Sequence, residues 1–276
     1  MKPTSKLLCV LTLLPVLLAA PLHADELGDK GRAVFTKNNQ AVVTVSIVLK
    51  LTYSSGGQSS AQESKQEATG TVIDPSGLTV LALSACDPAD MYARMDSRYK
   101  VETEVTDLKI MLSDGSELPA EIVLRDKDLD LAFIRPKAKP ASPMTAVDVA
   151  KSGSAQVLDE VVALNRLNSA ASRAYSASVE RIAAVVQKPR TFYIPDSTMS
   201  ATTMGSPAFL INGNFLGVFV MRAVGSGGGR PNLTAIILPA EDIMKGAKQA
   251  PEAKGDSDKK EEPKDATGKK EAPEKK

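Results

Sequence analysis

The sequence predicts an all-β protein of the sandwich or barrel type, and three observations support that prediction. Residues 41–49 place apolar side chains at every odd position, with Thr44 and Ser46 between them, which is the period of two of a half-buried strand. The dipeptide Asn212-Gly213 lies between two apolar runs and predicts a hairpin over residues 209–216. Short β-branched runs recur along the chain with turn sequences between them, as in all-β sandwiches and barrels.

The remaining strands are predicted in the same way, from short apolar runs bounded by turns. They fall, in chain order, at residues 69–73, 78–83, 108–112, 121–124, 131–134, 157–164 and 233–238. Residues 74–77 and 113–115 are turn sequences. Residues 179–186 have apolar side chains at helical spacing but are β-branched, and we interpret them as a strand. The polar residues 54–67 are predicted to form a mobile loop.

Residues 1–24 have the pattern of a cleaved secretory signal peptide. Lys2 and Lys6 form a short basic region, residues 7–20 are apolar, and Leu22-His23-Ala24 fits a small-residue cleavage site with the cut after Ala24. An uncleaved membrane anchor is the alternative, but the apolar run is short for a spanning helix. We therefore expect a periplasmic or secreted protein with no membrane span after cleavage.

Cleavage after Ala24 would change the chemistry available to the protein. His23 is the only histidine in the sequence, so the processed chain would contain none. Cys9 would also be removed, which leaves Cys86 alone and rules out an intramolecular disulfide. No metal cluster of histidine and cysteine could form, and we expect no metal and no other cofactor. The net charge of +1 and the absence of Trp argue against a nucleic-acid partner.

Residues 251–276 form a tail of Lys, Glu, Asp and Pro in which Ala is the largest apolar side chain. Such a segment cannot bury enough apolar surface to offset its chain entropy, so we expect it to be disordered. A tail that contacts a partner or the cell wall is the alternative interpretation.

Five segments, in the same order, resemble the HtrA/Deg branch of trypsin-like serine proteases. They are ATGTVIDPSG at 68–77, LSDG at 112–115 with DKDLDLAFI at 126–134, DEVVAL at 159–164, MGSPAFL at 204–210 followed by Gly213 and Gly217, and ILP at 237–239. The resemblance covers about residues 40–245. It implies a trypsin-like domain over residues 25–250 with two six-stranded antiparallel β-barrels, at about 40–145 and 155–245, and a site in the cleft between them.

The resemblance also implies where a His-Asp-Ser triad would lie. Ser84 stands in the position of the histidine, Asp130 in that of the aspartate and Met204 in that of the serine. A hydroxyl does not titrate near neutral pH, and a thioether has no proton to lose, so these residues cannot form the usual nucleophile and base. We therefore expect no catalytic residues and interpret the chain as a pseudoprotease, not an enzyme.

The sequence allows two interpretations of several residues. Asp130 is either a remnant of the triad or a carboxylate hydrogen-bonded to backbone or to Ser84. Gly205 and Ser206 could retain an oxyanion-binding loop. Ser206 is either a turn residue before Pro207 or a nucleophile that would need a lysine base. Cys86 is either a buried apolar residue or an interchain or redox-sensitive thiol.

The function that the sequence favours is peptide or protein binding, or scaffolding, in the cell envelope. A trypsin-like cleft can accept an extended peptide as an added strand. The sequence does not indicate the partner or the oligomeric state. Two alternatives remain: a serine-type peptidase with a non-standard Ser/Lys site, and a structural envelope protein.

Overall fold

The computed structural model describes residues 25–89, 92, 100–196, 203–224 and 232–252. The predicted signal peptide (1–24) and most of the predicted tail (253–276) lie outside the described residues. The elements in chain order are helix α1 (Glu26–Asn38), a 3₁₀ turn (Asn39–Ala41), strands β1 (Val42–Ser55), β2 (Gln58–Val72) and β3 (Thr79–Ala82), helix α2 (Leu83–Cys86), strands β4 (Lys100–Met111), β5 (Glu117–Asp126), β6 (Leu131–Pro136) and β7 (Glu160–Arg166), a second 3₁₀ turn (Ser169–Ala171), strands β8 (Tyr175–Val186), β9 (Phe192–Pro195), β10 (Pro207–Leu210), β11 (Phe215–Val224) and β12 (Asn232–Pro239), and helix α3 (Ala240–Ala247).

The strands form two closed antiparallel barrels of six strands each, which confirms the predicted architecture. The first barrel has the strand order β1-β2-β3-β6-β5-β4, and the second has the order β10-β11-β12-β9-β8-β7. Closure removes most of the unpaired strand edges that an open sheet would expose.

The alternating apolar residues of β1 fill the first barrel, but the strand is not half-buried as predicted, because residues 42–47 are buried on both faces. Val43, Val45, Ile47 and Leu49 all pack in one buried apolar cluster. A second cluster joins the two barrels, because Phe133 of β6 packs in it with Phe209 and Phe215 of the second barrel. Burying a Phe side chain contributes roughly 1.5–3 kcal/mol, so this shared core fixes how the barrels face each other across the cleft.

The prediction of a mobile loop at residues 54–67 is wrong. β1 continues to Ser55 and β2 begins at Gln58, and the two strands pair along their whole length. Gly56 and Gly57 both have positive φ angles, which is the geometry of a two-residue hairpin turn. The composition was misleading because this part of β2 is mostly exposed, so neither of its faces carries an apolar pattern.

Several strand boundaries also differ from prediction, and the largest difference is at β4, which was predicted at 108–112 and begins at Lys100. The strand predicted at 157–164 begins only at Glu160, because Leu158 has a φ of 73° and breaks the extended backbone before it. The strand predicted at 78–83 ends at Ala82, and Leu83 begins helix α2. The strand predicted at 179–186 and the hairpin at 209–216 are confirmed, with Gly213 at a φ of 85° in the turn.

Helices α1 and α3 and strand β9 were not predicted from the sequence. Asp25 caps α1 by accepting a hydrogen bond from the Gly28 N–H at 3.0 Å. In the described part of the chain, no helix combines the length and the apolar composition needed to span a membrane.

Candidate functional site

The structure brings two of the three predicted triad positions together at the rim of the first barrel. β3 pairs with β6, so the residue after β3 and the residue before β6 are neighbours. Ser84 lies in the first turn of α2, and its hydroxyl donates to the Asp130 Oδ2 at 3.0 Å. The Ser84 N–H donates to the Asp130 Oδ1 at 2.7 Å, and the Leu83 N–H donates to the Asp130 carbonyl at 2.9 Å. Asp130 therefore caps the start of α2.

Asp130 also reaches the second barrel. The Met221 N–H of β11 donates to the Asp130 Oδ2 at 3.1 Å, so the carboxylate joins α2 to β11 across the cleft. Asp130 has a φ of 55°, the left-handed region that Asp tolerates better than most residues. Of the two interpretations from the sequence, these contacts favour a carboxylate hydrogen-bonded to backbone and to Ser84.

Met204, the third predicted position, is buried with 5% of its surface exposed. It packs in an apolar cluster that also contains Ala82, Phe219 and Ile237. Its thioether therefore fills space where the resemblance places a nucleophile. A thioether is only a weak hydrogen-bond acceptor and cannot donate a proton.

The backbone around Gly205 is bonded within the protein. The Gly205 N–H donates to the Phe219 carbonyl at 2.8 Å, and the Ser206 N–H donates to the Thr203 carbonyl at 3.0 Å. An oxyanion hole needs N–H groups that point at the bound oxygen, and these two are occupied in this conformation. The Gly205 carbonyl accepts a hydrogen bond from the Thr71 hydroxyl of the first barrel at 2.8 Å.

Ser206 is fully buried and belongs to a polar network that the sequence analysis missed. Its hydroxyl donates to the Asn165 Oδ1 at 3.2 Å, and the Thr69 hydroxyl donates to the same oxygen at 2.6 Å. Asn165 follows the buried run 161–164 in β7, and this polar residue after four apolar ones was the available signal. The lysine base that a Ser206 nucleophile would need is not among its hydrogen-bond partners in the described residues.

A second inter-barrel contact, also missed, lies beside this network. Glu67 of β2 accepts hydrogen bonds from the Arg173 guanidinium at 2.5 Å and from the Ser169 N–H at 3.0 Å. Both donors lie in the connection between β7 and β8. The contact ties β2 to the second barrel with an arginine–carboxylate pair that is only partly exposed.

On the edge of β11 opposite to β12, the Phe219 backbone still bonds to Gly205 and Ser206, and beyond Phe219 no strand partner is found among the described residues. β10 pairs with β11 only as far as Val218, whereas β12 pairs with the other edge through Val224. The N–H groups of Phe219 and Met221 both point away from β12, to Ser206 and Asp130 respectively. Because N–H directions alternate along a strand, the Ala223 N–H and the Met221 and Ala223 carbonyls face the same open side.

Cys86 is completely buried at the end of α2, and burial raises the pKa of its thiol to about 12. A thiol with so high a pKa is almost entirely protonated at neutral pH and reacts slowly. This favours the interpretation of Cys86 as a buried apolar residue. Across the described residues, no group of three or more His, Cys, Asp and Glu side chains could hold a metal ion.

Comparison with known proteins places the chain in a family. A family model for the trypsin-like peptidase domain matches residues 68–218, and the chain belongs to that family. Among solved structures, the fold is similar to that of an HtrA-type protease, an AlgW variant with a tripeptide, with a TM-score of 0.51 and 14% sequence identity. That match covers 79% of this chain and 62% of the AlgW chain. No curated protein matched the sequence.

The expectation that the chain is not an enzyme is contradicted by these comparisons. The matching family is a peptidase family, and the similar structure is that of a protease. That expectation took the absence of a histidine-based triad as evidence for the absence of all catalysis. The residues at positions 84 and 204 bear only on a histidine-based triad. Membership of a peptidase family contradicts the conclusion that the chain is not an enzyme.

Proposed function

We propose that this trypsin-like domain acts on polypeptides outside the cytoplasm and binds them in extended form along the free edge of β11. The observation that carries the proposal is that edge itself. Beyond Phe219 this edge has no strand partner among the described residues, it lies next to Asp130, and β12 pairs with the opposite side of the strand. Polypeptide is also the substrate class of the family to which the chain belongs.

Binding on this edge would use backbone groups of the ligand. An antiparallel segment would accept a hydrogen bond from the Ala223 N–H and donate to the Met221 and Ala223 carbonyls. Each such bond contributes about 1 kcal/mol net, so affinity comes mainly from the backbone and selectivity from neighbouring side chains. The hydrogen bond from Met221 to Asp130 holds the start of this edge in place.

In this proposal Ser84, Asp130 and Met204 form the wall of the cleft. Asp130 positions β11 relative to α2, and Met204 closes the apolar floor beside Ala82. The loop at Gly205 and Ser206 supports that wall, because its N–H groups are bonded to Phe219 and Thr203.

The test is a peptide-binding measurement on the purified protein. An array of fluorescein-labelled peptides of varied composition provides the probes, and the tightest binder is then remade with N-methyl groups at alternate residues. Binding should be lost with methylation at one set of alternate residues and kept with the other. Loss with both sets, or with neither, would contradict strand addition.

A matched pair of variants tests the same point from the protein side. Ala223→Pro removes an N–H that faces the open edge, a place where strands tolerate proline, so the barrel should stay folded. Peptide affinity should fall about tenfold, since both a hydrogen bond and the edge geometry are changed. Ala223→Val keeps the N–H and should bind like the parent protein.

Peptide-bond hydrolysis with a non-standard site is a second candidate, favoured by the family and by one contact. The Ser84 hydroxyl donates to the Asp130 carboxylate, which could accept its proton during attack on a carbonyl. Ser206 is less suitable, because its hydroxyl is fully buried against Asn165.

The second candidate is tested with a fluorophosphonate probe and with mass spectrometry of the bound peptides after incubation. Labelling and cleavage that disappear in Ser84→Ala and persist in Ser206→Ala would establish it. Labelling lost only in Ser206→Ala would assign the nucleophile to Ser206 instead, and intact peptides with no labelled residue would remove this candidate.

Export by a signal peptide is part of the proposal and rests on residues 1–24 of the sequence. Protein purified from its own cells should begin at Asp25, as read by N-terminal sequencing. A chain that still begins at Met1 and is found in the cytoplasm would contradict export.

A further inference from the structure

A polar cavity of about 640 Å³ adjoins the proposed peptide edge. Four parts of the chain line it: the end of β5 with the turn before Asp130, residues 189–190 between β8 and β9, Arg222 of β11, and helix α3. Arg222 lies between Met221 and Ala223, the two residues whose backbone groups face the free edge. The cavity therefore lies beside the bound segment and not at a remote surface.

Three arginine side chains line this cavity, Arg125, Arg190 and Arg222. None of them makes an ion pair with a described carboxylate, although many other basic residues in the described ranges do. The Arg222 guanidinium lies 5.3 Å from the centre of the Phe192 ring, which holds it at the cavity wall.

Three carboxylates also line the cavity, and two of them have partners within the lining. The Asp126 Oδ1 accepts hydrogen bonds from the N–H groups of Asp128 and Leu129, both at 3.0 Å, within its own turn. Asp242 lies 3.5 Å from the Lys245 ammonium group on α3. Asp128 is exposed. With Asp242 and Lys245 paired, three guanidinium groups and two carboxylates remain in the lining, which leaves it with a net positive charge.

We propose that this cavity binds a carboxylate of the polypeptide, so that the β11 edge selects acidic segments. The inference rests on the proposed function above, because strand addition is what delivers the ligand. Side chains directly opposite each other in an antiparallel pair lie on the same face. A ligand residue opposite Arg222 would therefore point its side chain toward the same side as Arg222. A guanidinium can hold a carboxylate through two parallel hydrogen bonds, which a carboxamide cannot match in charge.

The experiment compares peptides that differ in one carboxylate. The parent is the best-binding array peptide, made with Glu or Gln at each position in turn and with a free or amidated C-terminus. Dissociation constants are measured by fluorescence anisotropy at low and at high NaCl concentration. At one position, Glu should bind about fivefold more tightly than Gln at low salt, and the advantage should shrink as salt screens the charge. If the free C-terminus shows the advantage instead, the carboxylate bound is the terminal one.

The protein side uses Arg190→Gln and Arg222→Gln, with Arg181→Gln as the control. Arg181 is exposed on β8 and pairs with Glu160, away from the cavity lining. Each cavity variant should reduce the Glu-over-Gln ratio of affinities toward one, and Arg181→Gln should leave that ratio as it is.

The outcomes separate the two proposals. Peptides that bind the edge with equal affinity for carboxylate and carboxamide at every position would overturn the acidic preference alone. Equal ratios in the parent protein and in both arginine variants would do the same. If no peptide binds at all, the edge proposal is wrong and the acidic preference is wrong with it.

Discussion

On the two sides of the cleft, different kinds of polar residue connect the first barrel to the second. On one side, Asp130 is a half-buried carboxylate with donors from Ser84 and Met221. On the other side, Asn165 is a neutral amide whose oxygen accepts hydrogen bonds from the Thr69 and Ser206 hydroxyls. Each group connects the first barrel to the second.

Asp130 and Asn165 are both partly exposed, and the two sides differ in the burial of the residues bonded to them. Thr69 and Ser206 are almost or entirely without solvent contact, and an isolated charge there would cost several kcal/mol of desolvation. Asp130 is partly exposed and accepts hydrogen bonds from the N–H groups of Ser84 and Met221, so its negative charge is tolerated. Asp130 and Asn165 are thus both part of the packing between the barrels.

Gly205→Ala is expected to have the largest effect on the buried side. Gly205 has a φ of 90°, and an added Cβ would lie 2.1 Å from the Thr69 carbonyl oxygen. Both the backbone conformation and the inter-barrel contact would have to change, so unfolding free energy should fall by about 3 kcal/mol or more.

Chemical denaturation measures that loss, and Gly115→Ala is the control. Gly115 has a similar φ of 85°, but nothing lies within 4 Å of its added Cβ. Its loss should be about 1 kcal/mol, which is the conformational cost alone. Equal losses in the two variants would show that the close approach of Gly205 to the Thr69 carbonyl adds no cost of its own.

Asp130→Asn is expected to have the next largest effect and tests the charged side. An amide can replace only one of the carboxylate oxygens as an acceptor, so one set of donors from Ser84 and Met221 faces an NH₂ group. The unfolding free energy should fall by about 2 kcal/mol, the usual cost of leaving such groups unsatisfied.

Asp128→Asn serves as its control, because Asp128 is exposed in the same turn. It should stay within about 0.5 kcal/mol of the parent in the same denaturation experiment. A loss in Asp130→Asn no greater than that in Asp128→Asn would mean that the Asp130 carboxylate does not join the barrels.

Ser206→Ala should cost less than either, about 1 kcal/mol. Only one hydrogen bond is lost, and the Asn165 oxygen still accepts from the Thr69 hydroxyl and from the Arg166 N–H at 2.8 Å. Thermal or chemical unfolding measures the change. A cost as large as that of Asp130→Asn would contradict the ranking of the two sides.

The sequence was informative about the framework and less so about the cleft. Alternation in residues 41–49 and the turn at Gly213 depend on neighbours in the chain, and both were predictable. The bonds from Ser206 to Asn165 and from Met221 to Asp130 join residues 41 and 91 positions apart. No local pattern specifies such contacts. The hairpin at Gly56-Gly57 was predictable from its turn, but the polar composition of β2 outweighed that signal.

Asp74→Asn is expected to have the smallest effect and compares the cleft carboxylate with one in a framework turn. The Asp74 Oδ1 accepts a hydrogen bond from the Ser76 N–H at 2.8 Å, much as Asp130 accepts from Ser84. Hydrogen bonds from Ser76 hold the pKa of Asp74 below its ordinary value of 3.8. A lowered folded-state pKa means that the stabilisation is present above the unfolded-state pKa of about 4 and is lost as the pH falls through the folded-state value.

The difference in unfolding free energy between the parent and Asp74→Asn should therefore be constant above about pH 5 and shrink below about pH 4. It should be about 0.5 kcal/mol at neutral pH, because Asp74 is partly exposed and its hydrogen bond is to Ser76 in its own turn. Denaturation at a series of pH values measures this. A cost at Asp74 equal to that at Asp130 would show that a local turn bond stabilises as much as a bridge between barrels, and the contrast between cleft and framework would then lose its energetic basis.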